Sequence, residues 1–68
     1  MLTIDVRRKI VEQMLQGAEQ QLYRIELDLK IKVASGITIP PGYQEAIDRK
    51  KMEVAILENE IDTIDSEV

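Results

Sequence analysis

The side chains that most enzymes use for chemistry are scarce in this sequence of 68 residues. It contains no histidine and no cysteine, which removes the commonest acid-base group, the commonest metal ligand and every thiol nucleophile. The hydroxyl groups of Ser35 and Ser66 lie in no motif that supplies a base. We therefore predict no catalytic residue, no cofactor and no metal site, and we predict that the chain is not an enzyme.

Carboxylates are plentiful, and five of them lie between Glu58 and Glu67 with no base among them. A hard cation such as Ca²⁺ needs several oxygen ligands that converge on one point. Glu58, Glu60 and Asp62 instead project from successive sides of a helix. This segment is most simply a solvated acidic face, and the alternative is the surface of a small acidic inhibitor or nucleic-acid mimic.

Two short patterns near the middle of the chain resemble recognition motifs. Pro40-Pro41-Gly42-Tyr43 fits the proline-rich pattern that WW domains bind, but it also suits a rigid loop that reverses the chain, with Tyr43 packed on the hairpin. The basic cluster Arg49-Lys50-Lys51, with Lys30 and Lys32 opposite, could bind phosphate. The acidic residues that flank this cluster favour an ordinary solvated face.

The run from Val11 to Val33 has the apolar pattern on which the prediction of the fold depends, and Gly17 is its only helix-breaking residue. Its apolar residues recur at alternating spacings of four and three, which is typical of helices that pack at small crossing angles.

Thr3 is a good N-cap, so we predict helix 1 over about residues 3–34. Gly17 marks either the close approach of a second helix or a tolerated weak point. Pairs with acid before base at four-residue spacing support the helix, namely Asp5 with Lys9, Glu26 with Lys30 and Asp28 with Lys32.

Residues 35–42 predict a loop, because Gly36 favours a left-handed helix end and Pro40 and Pro41 cannot continue a helix. We predict helix 2 over about residues 43–65, with Gly42 as N-cap and Glu45 in its first turn. The alternative is a start one turn earlier, at Thr38 or a proline. Helix 2 has an apolar stripe of the same period as helix 1, with Lys50 as its charged interruption. The stripe consists of Tyr43, Ile47, Val54, Leu57, Ile61, Ile64 and Val68.

The two helices have apolar stripes of the same period, and a single loop separates them. This pattern predicts an all-α fold, an antiparallel helical hairpin in a single domain of residues 1–68. The basic run from Arg7 to Lys9 should then meet the acidic segment at the open end of the hairpin. We predict that the intramolecular seam consists of Val11, Leu15, Ala18, Leu22, Ile25, Leu29, Ile47, Val54, Leu57, Ile61 and Ile64.

A hairpin of this size has too small a core to be self-sufficient, and it has no disulfide to support it. Other apolar residues lie away from the seam, so we expect them to form an oligomer or partner interface. They are Tyr23, Leu27 and Ile31 on helix 1 and Met52 and Ile56 on helix 2. In a dimer with a two-fold axis, the same surface of each subunit is buried against its copy. We therefore favour a dimeric four-helix bundle.

The sequence thus predicts a protein-protein interaction module: a self-associating hairpin that acts as an adaptor, regulator or assembly component. A subunit that docks onto a larger partner protein is the alternative of the same class. No apolar run approaches the 18 or so residues of a membrane span, so we expect no membrane partner and a cytoplasmic protein. The net charge of -4 argues against nucleic-acid binding.

Overall fold

The computed structural model describes residues 1–67, and in this part of the chain it contains two helices and no strand. The helices α1 (Ile4–Ala34) and α2 (Tyr43–Asp65) pack against each other as an antiparallel hairpin of 51 × 16 × 15 Å. The prediction of an all-helical fold with two packed helices is confirmed. Val68, the last residue of the predicted helix 2 stripe, lies outside the described residues.

Both ends of α1 are closed by hydrogen bonds to backbone groups that the helix leaves unpaired. At its start, the Thr3 hydroxyl oxygen accepts a hydrogen bond of 3.2 Å from the Val6 N–H, as expected of an N-cap. At its end, Gly36 has a φ of 72° and its N–H donates to the Val33 carbonyl, while the Ile37 N–H donates to the Lys32 carbonyl. This paired bonding is a Schellman motif, and it ends α1 where the sequence predicts.

The start of α2 depends on backbone conformation, because its N-cap, Gly42, has no side chain. Gly42 has a φ of 97°, a left-handed conformation that other residues rarely adopt. Its carbonyl accepts the first helical hydrogen bond, from the Ala46 N–H at 2.9 Å. Glu45 lies in the first turn, where a carboxylate favours the positive end of the helix dipole.

The core is a narrow strip between the two helices. Ala18, Ile47, Leu57 and Ile64 are buried. The other seam residues are half-buried, namely Val11, Leu15, Leu22, Ile25, Leu29, Val54 and Ile61. Thirteen large apolar side chains in the described chain are exposed, and nine of them lie on the helices. A two-helix hairpin can cover only one side of each helix, which leaves these nine uncovered.

Candidate interaction surfaces

The first exposed apolar surface is the outer stripe, which we define as Tyr23, Leu27 and Ile31 of α1. All three side chains are exposed. They follow each other at four-residue spacing, so they share one side of the helix. Leu27 is nine residues beyond the buried Ala18, which at about 100° per residue places it roughly half a turn away. The outer stripe therefore lies on the side of α1 that faces away from α2.

The second surface is the groove, an open depression of about 350 Å³ along one side of the hairpin. Met14 of α1 lines it together with Met52 and Ile56 of α2, which are 66% and 61% exposed. Arg49, Glu53 and Leu57 complete its lining. The five residues predicted for one interface therefore divide between two surfaces, because none of the outer-stripe residues reaches the groove.

Met14 lines the groove but is not one of the five residues predicted for the interface. Its signal in the sequence is Ile10, four residues earlier, which forms a second short apolar line beside the seam and is also exposed. Gly17 lies three residues beyond Met14, and a Cβ added there would have nothing within 4 Å. The second helix of the hairpin therefore does not approach closely at Gly17.

A polar cluster joins the helices next to the loop. The Tyr43 hydroxyl donates a hydrogen bond to Asp28, and the Lys32 ammonium lies 3.1 Å from the same carboxylate. The Lys32 ammonium also lies 5.7 Å from the centre of the Tyr43 ring. The hydrogen bond from Tyr43 and, after it, the one from Lys32 hold the pKa of Asp28 below its ordinary value. Each group satisfies another, so the cluster stabilises the loop end of the hairpin.

This cluster also bears on the proline-rich pattern. Tyr43 is half-buried and bonded to Asp28, and Pro40, Pro41 and Tyr43 line a depression of about 330 Å³ beside Ile25. A WW domain would require the segment to lie free in an extended conformation. The contacts of Tyr43 favour the structural role, a loop that reverses the chain.

At the open end, the acidic and basic clusters meet as predicted. The Arg7 guanidinium donates two hydrogen bonds to the Glu67 carboxylate, at 3.1 and 2.9 Å. Arg8 lies 2.7 Å from Asp65 and 2.8 Å from Glu12. The hydrogen bonds to Glu67, and after them its negative charge, raise the pKa of Arg7 above its ordinary value. Two of the five carboxylates of the acidic segment are thus paired within the chain.

Lys50 is the charged residue that interrupts the apolar stripe on the seam side of helix 2. It is half-buried, with its side chain 26% exposed. Its ammonium lies 2.8 Å from the Glu53 carboxylate, one turn later in α2. The aliphatic stem can therefore pack beside the seam while the charged end stays paired at the surface.

Comparison with known proteins adds no further information about these surfaces. The chain matches no family model, no curated protein and no solved structure. No helix within residues 1–67 is both long enough and apolar enough to cross a membrane. In the same part of the chain, no three acidic residues are grouped as metal ligands would be.

Proposed function

We propose that this chain is a self-associating helical hairpin that serves as a non-enzymatic adaptor or assembly component. The observation that carries the proposal is the balance of apolar side chains in residues 1–67: four are buried, while thirteen large ones are exposed. Exposed apolar area costs roughly 25 cal/mol per Å² relative to buried area. Contiguous apolar patches on a small protein therefore mark surfaces that another molecule covers.

The two surfaces suit two kinds of contact. The groove and the outer stripe lie on different sides of the hairpin, so one can be buried while the other stays accessible. We assign the groove to contact between copies of the chain, which would complete a dimeric four-helix bundle. We assign the outer stripe to a further protein partner. A protein that pairs with itself on one side and presents a second apolar side to a partner acts as an adaptor.

The alternative of an acidic inhibitor or nucleic-acid mimic receives less support. Such a surface needs unpaired negative charge directed at a basic partner. Glu67 and Asp65 are bound by Arg7 and Arg8, so the open end of the hairpin carries a mixture of charges.

Light scattering on the purified chain and two matched variants tests the proposal. Met52→Glu places a charge in the groove, and Leu27→Glu places the same charge in the outer stripe. We expect the unmodified chain and Leu27→Glu to have twice the 7.8 kDa chain mass. We expect Met52→Glu to have the mass of one chain, because burying an unpaired carboxylate opposes association.

Other results contradict the proposal in distinguishable ways. An unmodified chain that remains a folded 7.8 kDa monomer at millimolar concentration would overturn self-association. A mass that falls with Leu27→Glu and not with Met52→Glu would preserve self-association but transfer it to the outer stripe. Circular dichroism on each sample shows whether a loss of mass reflects unfolding.

A further inference from the structure

One side of α2 has an ordered sequence of charges and apolar groups. Arg49, Met52, Ile56 and Glu60 follow at spacings of three, four and four residues, so they form a single line along the helix. We call this line the α2 stripe. It shares no residue with the apolar stripe on the seam side of the same helix, which Lys50 interrupts. Its first three members line the groove, and its middle two are exposed and apolar. The stripe is therefore basic at one end, apolar in the middle and acidic at the other end.

We propose that a second copy of the chain docks antiparallel on the α2 stripe, about a two-fold axis that passes between Met52 and Ile56. This inference rests on the proposed self-association and specifies its geometry. The two-fold axis places Arg49 opposite Glu60 of the partner subunit and Met52 opposite Ile56 of the partner subunit. Because the contact is symmetric, each of these pairs occurs twice.

Charge complementarity determines both the occupant and its direction. A line of residues that reads basic, apolar, apolar, acidic is complementary to its own reverse. A parallel arrangement would instead place Arg49 against Arg49 and Glu60 against Glu60, and like charges in contact disfavour association. An unrelated partner would have to present the same order of groups by coincidence, whereas a second copy presents it automatically.

The charged ends of the stripe are available for this contact. Within residues 1–67, neither Arg49 nor Glu60 has an oppositely charged group within 4.0 Å. Glu60 lies close enough to Arg7 to add to the effect of Glu67 in raising the pKa of Arg7, but it forms no ion pair with it. The neighbouring Glu53 is already bound by Lys50.

The apolar middle of the stripe suits contact with a copy of itself. Met52 of one subunit would cover Ile56 of the other, and Met14 would close the side of the groove formed by α1. Methionine side chains are unbranched and flexible, so they can fill the irregular space between two helices. The contact would thus bury the three apolar groups that line the groove and are exposed in the single chain.

Charge reversal provides the test, because each single variant should fail alone and succeed with its complement. Arg49→Glu would set acid against acid in its own dimer, and Glu60→Arg would set base against base. We expect each variant alone to dimerise roughly ten-fold more weakly than the unmodified chain in sedimentation equilibrium at low salt, because like charges then face each other across the contact. An equimolar mixture should form a one-to-one heterodimer, because both of its charge pairs are then attractive.

A double variant with both reversals in one chain should also recover the homodimer. Lys51→Glu is the matched control, since it makes the same change in charge next to the stripe but on another side of α2. We expect it to dimerise like the unmodified chain. Circular dichroism of the mixture and of each variant separates loss of association from loss of folding.

Three results would overturn the proposal. If both single variants dimerise as tightly as the unmodified chain, the α2 stripe is not the interface, although self-association stands. If both are weakened but neither the mixture nor the double variant recovers, the copies do not meet antiparallel on these residues. If the unmodified chain stays monomeric at all concentrations, this inference and the proposed function are both wrong.

Discussion

The hydroxyl group of Tyr43, the first residue of α2, donates a hydrogen bond to the carboxylate of Asp28 in α1. The loop between the helices brings these two residues together. Lys32, which lies in α1 one turn after Asp28, binds the same carboxylate. Asp28 thus connects the two helices at the loop end, as the arginine pairs connect them at the open end. Polar contacts thus join the two helices at both ends of the hairpin, and the core between the helices is apolar.

The contacts of Asp28 predict a specific dependence of stability on pH. Hydrogen bonding to Tyr43, and then to Lys32, lowers the pKa of Asp28 in the folded chain below its ordinary value of 3.8. A carboxyl group whose pKa is lower in the folded state stabilises that state fully above its unfolded pKa. The contribution is lost as the pH falls through the lower folded value. Stability should therefore decrease in acid below about pH 4.

Urea unfolding at fixed protein concentration, followed by circular dichroism, measures this effect. The unmodified chain should be more stable than Asp28→Asn near neutral pH, and the difference should disappear in strong acid. Tyr43→Phe keeps the aromatic ring and removes the hydroxyl group, so it should reduce the same pH dependence. A constant difference between the unmodified chain and Asp28→Asn at all pH values would show that Asp28 acts by packing alone.

Alanine at two glycines should change stability in opposite directions. Gly36 has a φ of 72°, which a residue with a Cβ adopts at a cost of roughly 1 kcal/mol, so Gly36→Ala should destabilise the chain. Gly17 is inside α1 with open space where a Cβ would lie, so Gly17→Ala should stabilise by about 0.5 to 1 kcal/mol. Urea unfolding compares the two. Destabilisation by Gly17→Ala would indicate that a second copy approaches the helix there.

Replacing Lys50 by leucine should make the hairpin more stable. Lys50 is half-buried in the line of the seam, and its pair with Glu53 is close to the surface. An exposed ion pair contributes about 0 to 1 kcal/mol, whereas burial of a leucine side chain contributes roughly 1.5 to 3 kcal/mol. We expect a higher melting temperature for Lys50→Leu. Glu53→Gln removes the ion pair alone and should change the melting temperature little; a large fall in both variants would contradict this interpretation.

The helices and their ends could be predicted from the sequence because they depend on local chemistry. The hydroxyl of Thr3, the left-handed conformation of Gly36 and the prolines of the loop act within a few residues of themselves. Periodicity likewise identifies which side of each helix is apolar. The eleven seam residues inferred from it are buried or half-buried in the structure.

The composition of the surfaces could not be predicted in the same way. Periodicity identifies the seam of each helix, but not which exposed residues beside the seam of one helix meet those beside the seam of the other. The meeting of Met14 with Met52 and Ile56 depends on the detailed packing of the two helices. The bond between Tyr43 and Asp28 depends on the path of the loop. The pair of Lys50 with Glu53 is local, but its base precedes its acid at a spacing of three, so the pattern of acid-before-base pairs at four-residue spacing does not predict it.

The central claim is that association supplies burial that a single hairpin lacks, and the concentration dependence of unfolding tests it most directly. Melting curves should be recorded by circular dichroism over at least a hundred-fold range of chain concentration, with sedimentation equilibrium at the same concentrations. If folding and association are coupled, the melting temperature rises with concentration, and the mass approaches twice 7.8 kDa as helix content reaches its maximum. A fully helical chain whose mass stays at 7.8 kDa and whose melting temperature does not change with concentration would contradict the account.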